Sequence, residues 1–168
     1  MMNNFRGFVF LMISLVAACT LQPRMSIAEG TLFKKSVVLK NNTEVSVQVD
    51  VSECIASAFM YSSPLWWGAE LSPPKTFIKK LIVQFDNNER WVRFSAYSDL
   101  VNINSVVLNV MDNGFNIAID GGETATHYKA IIYFDNDGFL LGRKVYSPSF
   151  SDEVWEETKY SFIRRQDM

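Results

Sequence analysis

Val45-Ser46-Val47-Gln48-Val49-Asp50-Val51-Ser52 decides the fold. Apolar and polar side chains alternate with a period of two, and every apolar one is valine. A helix would scatter four such valines around its axis, whereas a strand sets all of them on one side. Branching at the β-carbon suits the pleated surface and disfavours the helix. The stretch therefore reads as a strand with one face on a core and the other in water.

The same reading extends in both directions. Phe33–Lys40 is expected as the preceding strand, with Asn41-Asn42-Thr43 as the turn between. Phe77–Phe85 is expected to carry Phe77, Leu81, Val83 and Phe85 on one face, followed by a turn over Asp86-Asn87-Asn88-Glu89. Arg90–Tyr97 then sets Val92, Phe94 and Ala96 opposite Trp91, Arg93 and Tyr97. Asp112-Asn113-Gly114 joins strands Val106–Met111 and Phe115–Asp120, and Asp135-Asn136-Asp137-Gly138 joins Tyr128–Phe134 and Phe139–Tyr146. Glu157–Ile163 is the last expected strand. Short helical turns are expected over Cys54–Met60 and from Ser151 to Glu156, while the three prolines of Tyr61–Lys75 make an irregular loop. The expected class is all-β, an antiparallel meander of about eight strands. So many apolar side chains need a sheet that folds over into a sandwich or curls into a barrel-like form.

Residues 1–28 have the order of an export signal. Arg6 precedes an uncharged, mainly apolar run, Gly7–Ala18, which is shorter than the ~20 residues of a membrane span. Val16-Ala17-Ala18-Cys19 resembles a bacterial lipobox. The resemblance implies cleavage before Cys19 and acylation of that residue, and Thr20 in place of Asp implies an outer-membrane destination. The residues up to Ala28 would then be a tether. The competing cut follows Ser26-Ile27-Ala28, a small-x-small site that would release a soluble periplasmic protein. Either way residues 29–168 form a single β domain, with Cys54 as its one cysteine and no disulfide within it.

Composition narrows the function. A net charge of −2 and no basic run longer than two residues argue against a counterion-displacing nucleic-acid binder and a polybasic membrane-surface protein. His127 is the only histidine, so a Ser-His-Asp device would have to use it, and no Gly-x-Ser-x-Gly elbow accompanies it; one His and one distant Cys cannot supply a zinc site. Asp135-Asn136-Asp137-Gly138 opens like a calcium loop, yet Phe139-Leu140-Leu141 follows at once and the late glutamate is missing, so it reads as a hairpin turn. Gly121-Gly122-Glu123-Thr124 lacks the Lys-Ser/Thr ending of a phosphate loop. No cofactor and no metal are expected.

Two features stand out as binding candidates. Trp66 and Trp67 are adjacent, and neighbouring side chains of an extended segment diverge, so either one ring stands outside as a binding anchor or the loop folds over an open end of the sheet and buries both. Asp152, Glu153, Glu156 and Glu157 cluster around Trp155, either as a solvated acidic turn or as a patch for a basic partner. The expectation is a non-enzymatic exported envelope lipoprotein binding another protein, in an immunity-like or assembly role. The alternative is a carrier of a small apolar ligand in a barrel-like cavity lined by Phe94, Ile117 and Ile132. A hydrolase would have to centre on His127 or on the Asp152–Glu157 carboxylates.

Overall fold

The computed structural model describes residues 30–54, 66–69, 73–147 and 153–161. The leader with Cys19, the expected helical turn over most of Cys54–Met60, and Asp152 lie outside the described residues. Nine strands are described: β1 (Thr31–Val38), β2 (Glu44–Glu53), β3 (Thr76–Phe85), β4 (Asn88–Trp91), β5 (Ile103–Met111), β6 (Gly114–Gly121), β7 (Tyr128–Phe134), β8 (Leu140–Tyr146) and β9 (Val154–Lys159). They form two antiparallel sheets in meander order, β1-β2-β3-β4 and β5-β6-β7-β8-β9. The sheets pack as layers of a sandwich and do not join into one closed barrel; β1 and β5 approach at one edge as separate ladders.

The valine alternation of β2 sets the first inner face. Val45, Val47, Val49 and Val51 are buried, and β3 adds Ile78, Leu81 and Val83. The second sheet answers with Phe115, Ile117 and Ile119 of β6 and with Tyr128, Ala130, Ile132 and Phe134 of β7. Burying a Val, Ile or Phe side chain is worth about 1.5–3 kcal/mol each, so this interlayer contact is the main driving force. The rings of Phe115 and Phe134 stack across β6 and β7 at 4.7 Å.

Turn chemistry sets the registers. Asp86 and Asn87 both have positive φ, at 48° and 59°, and close a two-residue hairpin between Phe85 and Asn88. Asp112-Asn113 turns the chain between Met111 and Gly114, and there the positive φ falls on Gly114, at 139°. Asp135 holds the β7–β8 turn, its carboxylate accepting from the amides of Asp137 and Phe139 at 2.9 and 2.8 Å.

Several expectations need correction. In β3 Val51 faces Ile78 while Asp50 faces Lys80, so Lys79 is an extra residue in the ladder. That bulge changes the phase, and Ile78 rather than Phe77 joins Leu81 and Val83 inside. The strand expected over Arg90–Tyr97 stops at Trp91 and gives way to a 3-10 turn at Phe94–Ala96. Val92, Ala96 and Tyr97 are buried and Phe94 is 66% exposed, because a three-residue turn does not alternate. The helical turn expected from Ser151 to Glu156 is not formed over Val154–Glu156, which open β9; pairing with β8 outweighs the local preference of a capped acidic segment. The expected last strand begins three residues early for the same reason.

Candidate binding site around Trp67 and Trp155

β8 carries Val145 inward, and the period of two therefore carries Arg143 inward as well. Its side chain is only 5% exposed. A buried guanidinium must find acceptors for all five N–H groups. Nη1 donates to Asp99 and to the Ser95 carbonyl at 3.4 Å. Nη2 donates to Asp99 at 2.7 Å and to Glu156 at 2.6 Å, and Nε donates to Glu156 at 3.0 Å. One cation thus ties the turn before β5 to the edge strand β9.

Glu156 extends the network. Thr158 donates to Oε1 at 2.9 Å, and the indole N–H of Trp67 donates to Oε2 at 3.0 Å. The Trp67 ring in turn stacks on Trp155, with centroids 5.6 Å apart and planes 15° apart. Trp67 is half-buried, and Trp155 is 44% exposed. The outcome is an aromatic platform whose inner ring is held by a carboxylate that is itself held by Arg143.

The segment carrying Trp67 is fastened by its backbone. The Trp67 amide donates to the Asp99 carbonyl at 2.8 Å, and the Val101 amide donates to the Trp67 carbonyl at 3.1 Å. Gly68 has φ of 102°, and a β-carbon there would lie 2.6 Å from the Val101 carbonyl oxygen and 2.7 Å from the Tyr128 ring. Asn102 adds a second lock. Its side chain donates to the Gly68 carbonyl at 2.7 Å and accepts from the amides of Lys75 and Thr76 at 2.7 and 3.2 Å. Replacing Asn102 by alanine strands these groups and is expected to cost about 2 kcal/mol, read in urea unfolding. A cost below about 0.5 kcal/mol would show that water takes over the bonds.

Burial works against the Glu156 carboxylate, yet the hydrogen bonds from Arg143, Trp67 and Thr158 outweigh it and hold its pKa below the usual carboxylate value. For Arg143, burial disfavours the charge, but Asp99 and Glu156 raise its pKa further above the ordinary value, so it stays protonated throughout. Because Glu156 titrates lower when folded than when unfolded, its stabilisation is present above the unfolded value of 4.5 and fades as pH falls through the folded one. Melting temperature is accordingly expected to drop on acidification below about pH 4.5, and Glu156→Gln to flatten that part of the profile. Thermal melts from neutrality to about pH 3 check this, and an unchanged acid limb in the variant would refute it.

Of the residues singled out from sequence, the structure brings Trp67, Trp155 and Glu156 together. Trp66 is half-buried, so of the tandem pair neither ring is the strongly exposed one; Trp155 supplies the outer face. Glu153 is exposed, beside the start of β9. The acidic cluster is not one patch, because the strand divides it: Glu156 faces Arg143, while Glu157 lies near Lys144 and Lys159 at 3.8 and 3.7 Å. His127 reaches Asp120 at 3.6 Å. Cys54 is partly buried, and burial pushes its thiol pKa up. Phe94 lies outside the core that encloses Ile117 and Ile132, so the three do not line one cavity.

Arg143, Asp99, Gly68 and Asn102 were not found from sequence. For Arg143 a signal existed: the phase of Val145 puts it on the inner face, where a lone cation demands carboxylates. No protein-family model, curated protein or solved structure matches the chain.

Proposed function

We propose that this chain is a non-enzymatic exported envelope protein that binds another protein through the Trp67–Trp155 platform. The supporting observation is the stack itself: two indoles 88 positions apart, one held by Glu156 and the other 44% exposed. Large rigid aromatics at low entropic cost are the residues that anchor protein interfaces. Glu153 beside the platform favours a partner with a basic rim. In this reading residues 1–28 direct export, and Cys19 carries the lipid that holds the domain at the outer membrane; cleavage after Ala28 gives the soluble periplasmic form. An immunity-like role, in which the platform covers a toxin, or an assembly role both fit such a surface.

The experiment is capture from envelope extract with the wild-type chain and with Trp155→Ser. One stoichiometric partner held by the wild type and lost at least about tenfold in the variant is expected, since a platform anchor is worth more than about 1.4 kcal/mol. No partner, or a partner held equally by both, would overturn the reading.

A further inference from the structure

The outer face of the first sheet has a chemistry unlike that of the Trp67–Trp155 platform. Val47 and Val83 point into the core, so the strand alternation turns Gln48 and Ile82 outward. The register then lines up one outward side chain from each strand in a row across the sheet. Lys34 stands opposite Gln48, Gln48 opposite Ile82, and Ile82 opposite Trp91. Trp91 ends this row on β4 and is 83% exposed. A parallel row beside it holds Ser36, Ser46, Gln84 and Glu89.

On β1, β2 and β3 the two rows enclose a groove of about 300 Å³. Its polar lining is two hydroxyls, Ser36 and Ser46, two amides, Gln48 and Gln84, and two lysines, Lys34 and Lys35, with no carboxylate. The carboxylates of this face stand elsewhere. Asp50 is opposite Lys80 in the register, and Glu89 lies 3.8 Å from the Lys80 ammonium. Among the described residues neither Lys34 nor Lys35 enters an ion pair. The face therefore runs from a bare indole, over neutral hydrogen-bonding groups, to uncompensated positive charge. We propose that it binds an acidic polysaccharide laid across the strands, with Trp91 under one sugar ring and an acidic group of the chain at Lys34.

The chemistry of the row selects this occupant. A pyranose shows C–H bonds on its faces and hydroxyls around its rim. The negative face of an indole receives the C–H face, and hydroxyl and amide side chains, being donors and acceptors at once, receive the rim. Strands are spaced about 4.8 Å apart, close to the length of one sugar ring, so the span from β4 to β1 takes about three rings. The core of a protein interface, by contrast, concentrates aromatics and sheds Ser and Lys, which are the groups this groove displays. An anionic bilayer would require cations at the indole, whereas the unpaired ones stand at the other end of the row.

The test is binding of the full chain to an array of purified bacterial polysaccharides and defined oligosaccharides, acidic and neutral, followed by calorimetric titration with those that bind. At least one acidic glycan is expected to be held, and its neutral counterpart, with the acidic group removed or reduced, at least about fivefold more weakly. Trp91→Ala is expected to weaken binding at least about tenfold, Lys34→Gln about fivefold and Gln48→Ala about threefold. These side chains lie outside the core, and unchanged melting temperatures verify that the variants fold. Absence of binding to every glycan on the array, equal affinity for the neutral counterpart, or an affinity unchanged in Lys34→Gln would overturn the proposal. So would acidic-glycan binding that is lost in Lys34→Gln and kept in Trp91→Ala, which would reduce it to attraction between charges.

Discussion

Replacing Arg143 by alanine is expected to lower the unfolding free energy by about 3 kcal/mol and the melting temperature by about 10 °C. The physical reason is what the substitution leaves behind. Asp99 and Glu156 would face each other with no cation between them, and the Ser95 carbonyl would lose its donor. Breaking a buried pair from one side costs about 3–5 kcal/mol, and the lower end applies because the two carboxylates keep 27% and 30% side-chain exposure. Arg143→Lys is expected to recover less than about half of the loss, since an ammonium cannot present a planar fork to two carboxylates. Arg143→Met with Asp99→Asn and Glu156→Gln removes the charges together and is expected to be milder than Arg143→Ala alone. Denaturant melts of the three variants decide it. A single variant as mild as the triple one would show that water fills the site.

The second large effect is expected from Gly68→Ala. At φ of 102° an L side chain is strained, and the added β-carbon meets two rigid neighbours. The Val101 carbonyl oxygen is held by the Tyr128 hydroxyl at 3.1 Å, and the Tyr128 ring is fully buried. Neither can retreat, so the 66–69 segment must. The expected cost is about 3 kcal/mol, from the backbone conformation and the contact together. Trp67 moves with the segment, so its stacking on Trp155 and its bond to Glu156 are expected to be lost. Stacked indoles couple their transitions, and circular dichroism in the indole bands reads the stack directly. A destabilised variant that keeps this signal would place the strain elsewhere. Loss of the signal together with loss of partner capture would tie the platform to binding.

These predictions concern residues that differ in how openly the sequence presents them. Trp155 and Glu156 stand out as an aromatic among acids, and Trp66-Trp67 as a pair in a proline-rich loop. That Trp67 and Trp155 belong to one platform is invisible from either segment, because their contact crosses between a loop and an edge strand. Arg143 is half-legible through the phase of Val145. Asn102 is not legible at all: its φ of 53° and three side-chain bonds to backbone exist only once residues 68, 75 and 76 converge on it.

The sequence by itself determined the class of the fold, its strand order and most of its turns. Side chains alternate across a strand whatever the strand pairs with, and short turns place positive φ locally, at Asp86-Asn87 in one hairpin and at Gly114 and Gly138 in the others. Only the tertiary structure decided where that alternation breaks, as at Lys79 in β3, after Trp91, and at Val154–Glu156. It alone split the meander into layers of four and five strands and chose the open sandwich over closure. Those outcomes depend on which surfaces meet across the core and at its edges, and contact between distant segments carries energies larger than any local preference.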